Sequence, residues 1–268
     1  MSDEVLYEVK DKIARITINR ANKMNSINPP LMAELSATFR KADEDPKVSV
    51  VILTSAGDHF GAGYDLKFPW SETYGRGPMG TRKMLKDCAD FEYGPWDCSK
   101  PVIAMVRGYC LAGSCELAMM CCITYAAKSA NFGEPEIRFS TAPPAMIMPW
   151  LVGLKRSREL LYTGDMIGAE EARQMGMINK VFDDDKLEEE TLKYARRAAA
   201  ISVEGLQTTK ASINRGAEIA GLRSAIAYGV EVGGILDASE TEQYLEFSKV
   251  KAEKGLSAAI RWRESQFE

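Results

Sequence analysis

An acidic side chain inside an apolar segment is the strongest constraint on how this sequence can fold. The segment, residues 101–136, begins with an apolar stretch of strand length at 101–106 and continues through a glycine-containing loop. Residues 114–122 then have the composition of a buried helix start, and Glu116 lies among them. A carboxylate in such a place loses its hydration, so its charged form is disfavoured unless a neighbouring group uses it. The segment therefore indicates chemistry as well as a core.

Stretches of strand length alternate with helical patterns as far as about residue 195. Strands are predicted at residues 6–9, 13–19, 48–53, 101–106 and 177–182. Helices are predicted at residues 31–45, 81–92, 114–122, 149–163 and 186–200. Beyond residue 203 the sequence is helical and amphipathic, with a possible break at Gly233 and Gly234. We therefore expect an α/β fold, residues 1–195 forming the core and 196–268 a helical region, with ligand loops at the carboxyl ends of the strands.

The composition narrows the classes of function. The net charge of −4 argues against a nucleic-acid-binding protein, which needs a basic face. No signal peptide is predicted, and the longest apolar run, residues 117–127, is shorter than the roughly 20 residues that span a bilayer. The six cysteines form no CxxC pair, which favours a reducing, cytoplasmic location. His59 is the only histidine, so a histidine-based metal site is not expected.

Two glycine-bearing loops, residues 57–63 and 108–113, follow predicted strands. A glycine loop that leads into a helix start presents unpaired backbone N–H groups and the positive end of the helix dipole. The two loops could therefore direct two N–H groups at one oxygen, and the natural donors are those of Tyr64 and Gly113. Such an oxyanion hole would stabilise an enolate or a tetrahedral intermediate. A plain strand-to-helix turn at 57–63 is the alternative.

Glu116 and Glu136 are the candidate proton-transfer groups. Glu116 could instead be a helix-start carboxylate stabilised by the dipole, and Glu136, after Pro135, could be a solvated loop acid. Placed together beside an anion-binding hole, they would form an acid–base pair acting on a carbonyl substrate. Residues 69–78, with two aromatic residues and two glycines, suggest a surface segment covering a pocket.

The motifs GYCLAGSCELAMMC at residues 108–121 and FGEPEI at 132–137 resemble the signature of the crotonase (enoyl-CoA hydratase/isomerase) family. RANKMNSI at 20–27, FGAGYDL at 60–66 and TGDMIGAEEARQMGMINKV at 163–181 agree with that family in order and position. The resemblance covers nearly the whole chain. It implies a spiral core of ββα repeats and a helical C-terminal region that forms trimers or dimers of trimers.

The resemblance also implies roles for individual residues. The family's oxyanion-hole N–H groups, which bind the thioester oxygen of an acyl-CoA, fall on Tyr64 and Gly113. The two glutamates with which hydratases add water across the 2,3-double bond fall on Glu116 and Glu136. No metal or separate cofactor is expected, because coenzyme A is part of the substrate. The residues implied in binding the coenzyme A portion and the acyl group are Lys23, Met24, Asn25, Ala62, Asp65 and Leu66.

Three departures from the family pattern leave other activities open. Ala112 and Ser114 flank Gly113 where glycines are usual, and Glu134 places a third carboxylate near the pair. A proline-containing run at residues 143–150 replaces a glycine-rich one and is expected to stiffen and fill the region beside the acyl group. A hydratase that retains both glutamates is the leading hypothesis. The alternatives are an acyl-CoA isomerase, dehydratase or hydrolase, or a catalytically weak acyl-CoA-binding protein.

Overall fold

Two β-sheets form the framework of the computed structural model, which describes residues 3–267. The larger sheet has the order β1-β2-β3-β4-β6-β9 and is parallel except for the β1–β2 hairpin. Its strands are β1 (Val5–Lys10), β2 (Ile13–Ile18), β3 (Val50–Ser55), β4 (Val102–Val106), β6 (Ile123–Ala127) and β9 (Lys180–Phe182). The smaller sheet consists of β5 (Tyr109–Leu111), β7 (Asn131–Gly133) and β8 (Ile167–Gly168). The mixed α/β class predicted from the sequence is confirmed.

Helices cover the sheets and make up the end of the chain. In the first half they are α1 (Pro29–Glu44), α2 (Trp70–Tyr74), α3 (Pro78–Glu92), α4 (Gly94–Asp97) and α5 (Gly113–Met119). They continue with α6 (Met148–Val152), α7 (Leu154–Thr163), α8 (Ala169–Met175) and α9 (Leu187–Ala199). The last four are α10 (Val203–Ile219), α11 (Leu222–Asp237), α12 (Glu242–Lys254) and α13 (Leu256–Glu264). Short 3-10 helices lie at Ala21–Lys23 and Pro135–Phe139.

A repeated strand–strand–helix unit carries the chain between the sheets. After β4 the chain forms β5 and then α5, and after β6 it forms β7 and then the 3-10 helix Pro135–Phe139. In both units the first strand joins the larger sheet and the second joins the smaller one. The loop after β3 makes a matching parallel bridge between Gly61 and Cys110. This arrangement is the ββα repeat that the resemblance implied, and it brings successive loops together.

The inner strands of the larger sheet are buried on both faces, which accounts for the continuous apolar run of β3. On β3, Val51 and Leu53 face the main core, while Val50 and Ile52 face a second cluster on the opposite side. Helix α9 covers that second face with Leu187, Ala195 and Ala199. The predicted boundary at residue 195 therefore falls inside α9, whose buried residues pack on the sheet.

The predicted break at Gly233 and Gly234 is wrong, because α11 runs without interruption from Leu222 to Asp237. A Cβ at position 233 would lie 3.0 Å from the Ala142 Cβ, and one at 234 would lie 3.4 Å from the Cα of Arg82 in α3. The two glycines thus allow neighbouring chain segments to approach the helix closely. The actual interruption precedes α11, at Gly221, whose φ is +107°.

One further helix expectation changed. The helix predicted over 149–163 is two helices, α6 and α7, separated at Gly153 with φ +80°. Within residues 3–267 no single helix has the length and apolar character needed to cross a bilayer. Helices α10 and α11 have the necessary length and apolar character only when they are taken together, and they are bent by 55° at their junction.

Candidate active site

The loops that follow β3 and β5 touch each other through glycine. Gly63 adopts φ +80°, and a Cβ on it would overlap the Cβ of Ala112 and lie 3.1 Å from the carbonyl oxygen of Leu111. The same loops are tied together because Gly61 N donates to Tyr109 O at 2.9 Å and its carbonyl accepts from Leu111 N at 3.0 Å. Glycine is required at position 63 for both its conformation and this contact. The next residue along, Tyr64, is thereby held beside the start of α5.

The backbone N–H groups of Tyr64 and Gly113 have no protein acceptor among residues 3–267. Gly113 is the first residue of α5, where helical N–H groups lack intrahelical partners. Tyr64 forms a parallel bridge with Ile27 that uses Gly63 O and Asp65 N, which leaves the Tyr64 N–H free. Both predicted donors therefore lie in contacting loops and are available to a ligand.

The side chain of Tyr64 packs against Gly113 and reaches into the protein. A Cβ at position 113 would overlap the tyrosine ring, with ring atoms Cδ2 and Cζ each 2.9 Å away. The hydroxyl donates a 2.5 Å hydrogen bond to Oε1 of Glu92, at the end of α3. Burial, together with the nearby Cys88 and Glu92, raises the pKa of Tyr64 well above 10. The ring is thus neutral and anchored at its far end.

Glu116 is fully buried in the first turn of α5. Its Oε1 accepts a 2.6 Å hydrogen bond from the backbone N–H of Ala145, and its Oε2 has no hydrogen-bond partner within the described chain. Burial raises the pKa of Glu116 well above 4.5, and the carboxyls of Glu92, Glu134 and Glu136 raise it further. Burial and the neighbouring carboxyls therefore affect the pKa of Glu116 more than the dipole of this seven-residue helix does.

Glu136 lies in the 3-10 helix after β7 and is 8% exposed, so the alternative of a solvated loop acid is wrong. Neither carboxyl oxygen makes a hydrogen bond to another residue among those described. Burial raises the pKa of Glu136 to about 8, an effect that its own backbone N–H partly offsets. At neutral pH the group is thus mostly protonated and able to donate.

Two more carboxyl groups belong to the same buried cluster. Glu134 is 2% exposed, and its pKa is raised by burial and by the neighbouring Cys115 and Glu136. Glu134, the third carboxylate expected near the pair, raises the pKa of Glu116. Glu92 was missed from the sequence. The signal was available, because Glu92 continues the buried stripe of α3 that contains Leu85, Cys88 and Ala89, at helical spacing.

A cavity of about 690 Å³ opens beside these groups. Glu136 and Tyr64 line it, whereas Glu116 lies behind its wall. Segment 69–78, predicted to cover a pocket, borders the cavity through Trp70, Tyr74 and adjoining residues. Its other walls come from α3, residues 139–144, and the end of α11 with the residues that follow it. The lining residues from these parts are Met84, Leu85, Cys88, Phe139, Thr141, Ala142, Pro144, Asp237, Ser239, Glu240 and Tyr244. The proline-containing run therefore does shape the cavity.

The residues predicted to contact coenzyme A fall into three groups. Ala62 and Leu66 line the cavity. The side chains of Lys23 and Met24 are exposed in the first loop. Asn25 and Asp65 are 1% and 8% exposed, and their side chains bind other groups of the protein. The amide of Asn25 bonds to Ala56 O, His59 O and Arg20 N, and the carboxylate of Asp65 pairs with Arg20 at 3.5 Å.

Comparison with known proteins gives a consistent result. Residues 8–247 match the enoyl-CoA hydratase/isomerase family. The chain is 30% identical over 273 residues to the crotonyl-CoA hydratase of Syntrophomonas wolfei, covering 99% of this chain and 98% of that protein. An enoyl-CoA hydratase/isomerase from Xanthobacter autotrophicus Py2 superimposes with a TM-score of 0.95 at 36% identity, covering all of both chains. An enoyl-CoA hydratase from Mycobacterium smegmatis gives 0.92 at 28% identity, covering 99% and 95%.

Proposed function

The chain belongs to the enoyl-CoA hydratase/isomerase family, as its motifs predicted, and we propose that it is an enoyl-CoA hydratase. It would add water across the 2,3-double bond of an acyl-CoA thioester. The observation that carries the proposal is the pair of buried carboxyls, Glu116 and Glu136, beside two free backbone N–H groups and a cavity. Relatives named as hydratases support it.

Tyr64 N–H and Gly113 N–H are the proposed ligands of the thioester oxygen. When hydroxide adds to C3, negative charge moves through C2 to that oxygen, and two preorganised donors stabilise the resulting enolate. The loss of one donor of this kind costs about 3–4 kcal/mol of transition-state stabilisation. The anchoring of Tyr64 at Glu92 and of Gly113 at the α5 terminus would keep the donors in position before substrate binds.

The two glutamates then divide the proton transfers. Glu116, held by the Ala145 N–H, would take a proton from water as its oxygen bonds to C3. Glu136, whose pKa of about 8 keeps it protonated at neutral pH, would give its proton to C2 and collapse the enolate. After these steps Glu116 holds the proton from water and Glu136 is ionised, so the cycle closes when Glu116 loses a proton and Glu136 regains one. The reaction needs no redox group or metal ion.

An enoyl-CoA isomerase is the second candidate, because Glu136 lines the cavity and Glu116 does not. A single carboxyl can move a proton between two carbons of the acyl chain. A purely binding role is less well supported. Several buried carboxyls without full hydrogen bonding destabilise a fold, and a protein that only binds has no use for that cost.

The direct test is to incubate purified protein with crotonyl-CoA and with longer and aromatic enoyl-CoAs while following the loss of the conjugated thioester absorbance. The products are then identified by mass spectrometry and NMR. Hydration to a 3-hydroxyacyl-CoA supports the proposal. Migration of the double bond without incorporation of water would replace it with the isomerase. Reaction in H₂¹⁸O distinguishes the two directly, because only hydration places the label on C3.

Oligomerisation through the C-terminal region remains a proposal. Its support is a set of large apolar side chains exposed on α10 and α11, namely Ile213, Ile219, Tyr228, Val232 and Ile235. Faces of this kind commonly mark protein interfaces. Light scattering coupled to size-exclusion chromatography tests it: a mass of three or six chains supports the proposal, and a monomer contradicts it.

A further inference from the structure

Glu92 approaches the candidate catalytic carboxyl of Glu116 from a different element. It ends α3, is fully buried, and its carboxyl raises the pKa of Glu116 on α5, the helix against which α3 packs. Tyr64 connects the two helices, because its hydroxyl donates to Glu92 and its ring packs on Gly113, the first residue of α5. Two buried carboxyl groups that repel each other electrostatically cannot both be ionised at modest cost.

Each carboxyl of this pair has one oxygen that accepts a hydrogen bond and one that does not. Oε1 of Glu92 accepts from the Tyr64 hydroxyl at 2.5 Å, and Oε1 of Glu116 accepts from Ala145 N at 2.6 Å. Oε2 of each residue is buried and has no partner in the described part of the chain. If both groups are ionised, these two oxygens are acceptors that face no donor. A single proton placed between the carboxyls gives the pair the donor it lacks.

We propose that Glu92 is a positioning residue of the active site, and that its carboxyl, held by the Tyr64 hydroxyl, shares one proton with the carboxyl of Glu116. The shared proton fixes the orientation of Glu116 and leaves the pair with one negative charge. That charge is the base that takes a proton from water, an assignment that rests on the proposed hydratase function. The geometry of the pair itself does not depend on the reaction.

The surroundings favour one shared proton over two separate charges. The charged neighbours that most affect the pKa values of Glu92 and Glu116 are other carboxyls. Tyr64, Cys88, Glu134 and Glu136 lie near the pair, and Asp237 lies near Cys88 and Glu136. The described residues also contain no group of three His, Cys, Asp or Glu side chains able to hold a metal ion. A shared proton therefore reduces the negative charge that the pair would add among these acidic neighbours.

Two substitutions should move the proton affinity of Glu116 in opposite directions. Glu92→Gln removes the neighbouring charge and offers an amide donor, so the affinity should fall at least tenfold. Tyr64→Phe removes the donor that stabilises ionised Glu92, so the pair should hold its proton more tightly. A general loosening of the core would shift both variants in the same direction. Asp90→Asn, which removes an exposed carboxylate from the same helix, is the matched control.

Infrared difference spectroscopy of the ligand-free protein measures the proton affinity of Glu116 directly. The protonated-carboxyl band of Glu116 is the one missing from Glu116→Gln, and its pH titration is followed in each variant. Opposite shifts in Glu92→Gln and Tyr64→Phe, with no shift in Asp90→Asn, support the proposal. An unchanged titration in Glu92→Gln, or shifts of the same sign in both variants, overturns it. Because this measurement uses no substrate, its result can be interpreted even if the protein is not a hydratase.

The kinetic consequence is a second test. In Glu92→Gln, kcat for hydration should fall about ten- to a hundredfold with KM little changed, and the acidic limb of the pH–rate profile should move to lower pH. A loss of kcat at every pH without movement of that limb would show that Glu92 acts only through packing.

Discussion

The ring of Tyr64 lies directly on the Cα of Gly113, so the residues that supply the two proposed oxyanion donors also pack against each other. Tyr64 is fixed at its hydroxyl by Glu92, and Gly113 is fixed by its place at the start of α5. The spacing of the two N–H groups is therefore set by side-chain packing as well as by the backbone. Substitutions that leave both N–H groups in place should still disturb the site.

Gly113→Ala should lower activity severely even though the N–H remains. The added Cβ would overlap the Tyr64 ring, which cannot move freely while its hydroxyl is bonded to Glu92. Displacement of the Tyr64 loop removes about one oxyanion donor, which predicts a loss in kcat of about 100- to 1,000-fold. Steady-state kinetics measures this. The double variant Gly113→Ala/Tyr64→Ala removes the clash, and recovery of part of the activity would confirm its origin, whereas a further loss would contradict it.

Glu136 should make the protein less stable as the pH rises from about 4.5 to 8. Its folded pKa of about 8 lies above the value of 4.5 for an exposed carboxyl, so the folded state keeps a proton that the unfolded state loses. The free energy of unfolding therefore falls with pH across this interval and levels off above it.

Glu136→Gln should remove that dependence and gain up to a few kcal/mol over the wild type at pH 8.5, with little gain at pH 4.5. Urea unfolding at the two pH values measures the difference. Glu171→Gln, an exposed carboxylate on α8, is the control. An equal gain at both pH values would show that packing and not ionisation is responsible.

Asp237 should support the site through the loop that carries Ala145. Its Oδ1 accepts a hydrogen bond from Ala142 N at 2.9 Å, and burial raises its pKa to about 7. Asp237→Ala leaves that N–H unpaired and should cost about 1–3 kcal/mol of stability while also lowering kcat. Asp237→Asn keeps an acceptor and should cost less. Thermal unfolding and kinetics of the two variants test this, and equal effects would contradict the role of the hydrogen bond.

Alanine substitutions at two glycines of α11 should have opposite effects on the stability of the protein. At Gly233 a Cβ would lie 3.0 Å from Ala142 Cβ and 3.3 Å from Leu85, so Gly233→Ala should destabilise the protein. At Gly229 the nearest atom would be Met146 Cβ at 3.7 Å, an ordinary contact, so Gly229→Ala should stabilise by about 0.5–1 kcal/mol. Denaturant unfolding measures both. Stabilisation by Gly233→Ala would contradict the close approach of Ala142 and Leu85 to the helix at that position.

The sequence predicted those features whose signal is local. The apolar run of β3 and the glycines of the two loops identified the strand and the free N–H groups without reference to other parts of the chain. The strands β5 and β7 were missed because three residues are too few to show a period of two. The pairing of Gly233 with Ala142 was missed because it depends on a segment that packs there only in the folded protein.

Among the site residues, Glu116 was found because it interrupts an apolar segment, whereas Glu92 ends a charged amphipathic helix and does not stand out by composition. Its burial follows from the stripe it shares with Leu85 and Cys88, and its contact with Tyr64 follows from the tertiary fold. The internal use of the Asn25 and Asp65 side chains likewise depends on loops that meet only in three dimensions.

The central claim is that two carboxyls carry out the proton transfers of hydration. It is tested most directly by the steady-state rate of enoyl-CoA hydration in Glu116→Gln and Glu136→Gln, with Glu171→Gln as the control. Each active-site variant should lose about 100- to 10,000-fold in kcat, while the control retains the wild-type rate. Turnover near the wild-type rate in either Glu116→Gln or Glu136→Gln would contradict the two-carboxyl mechanism.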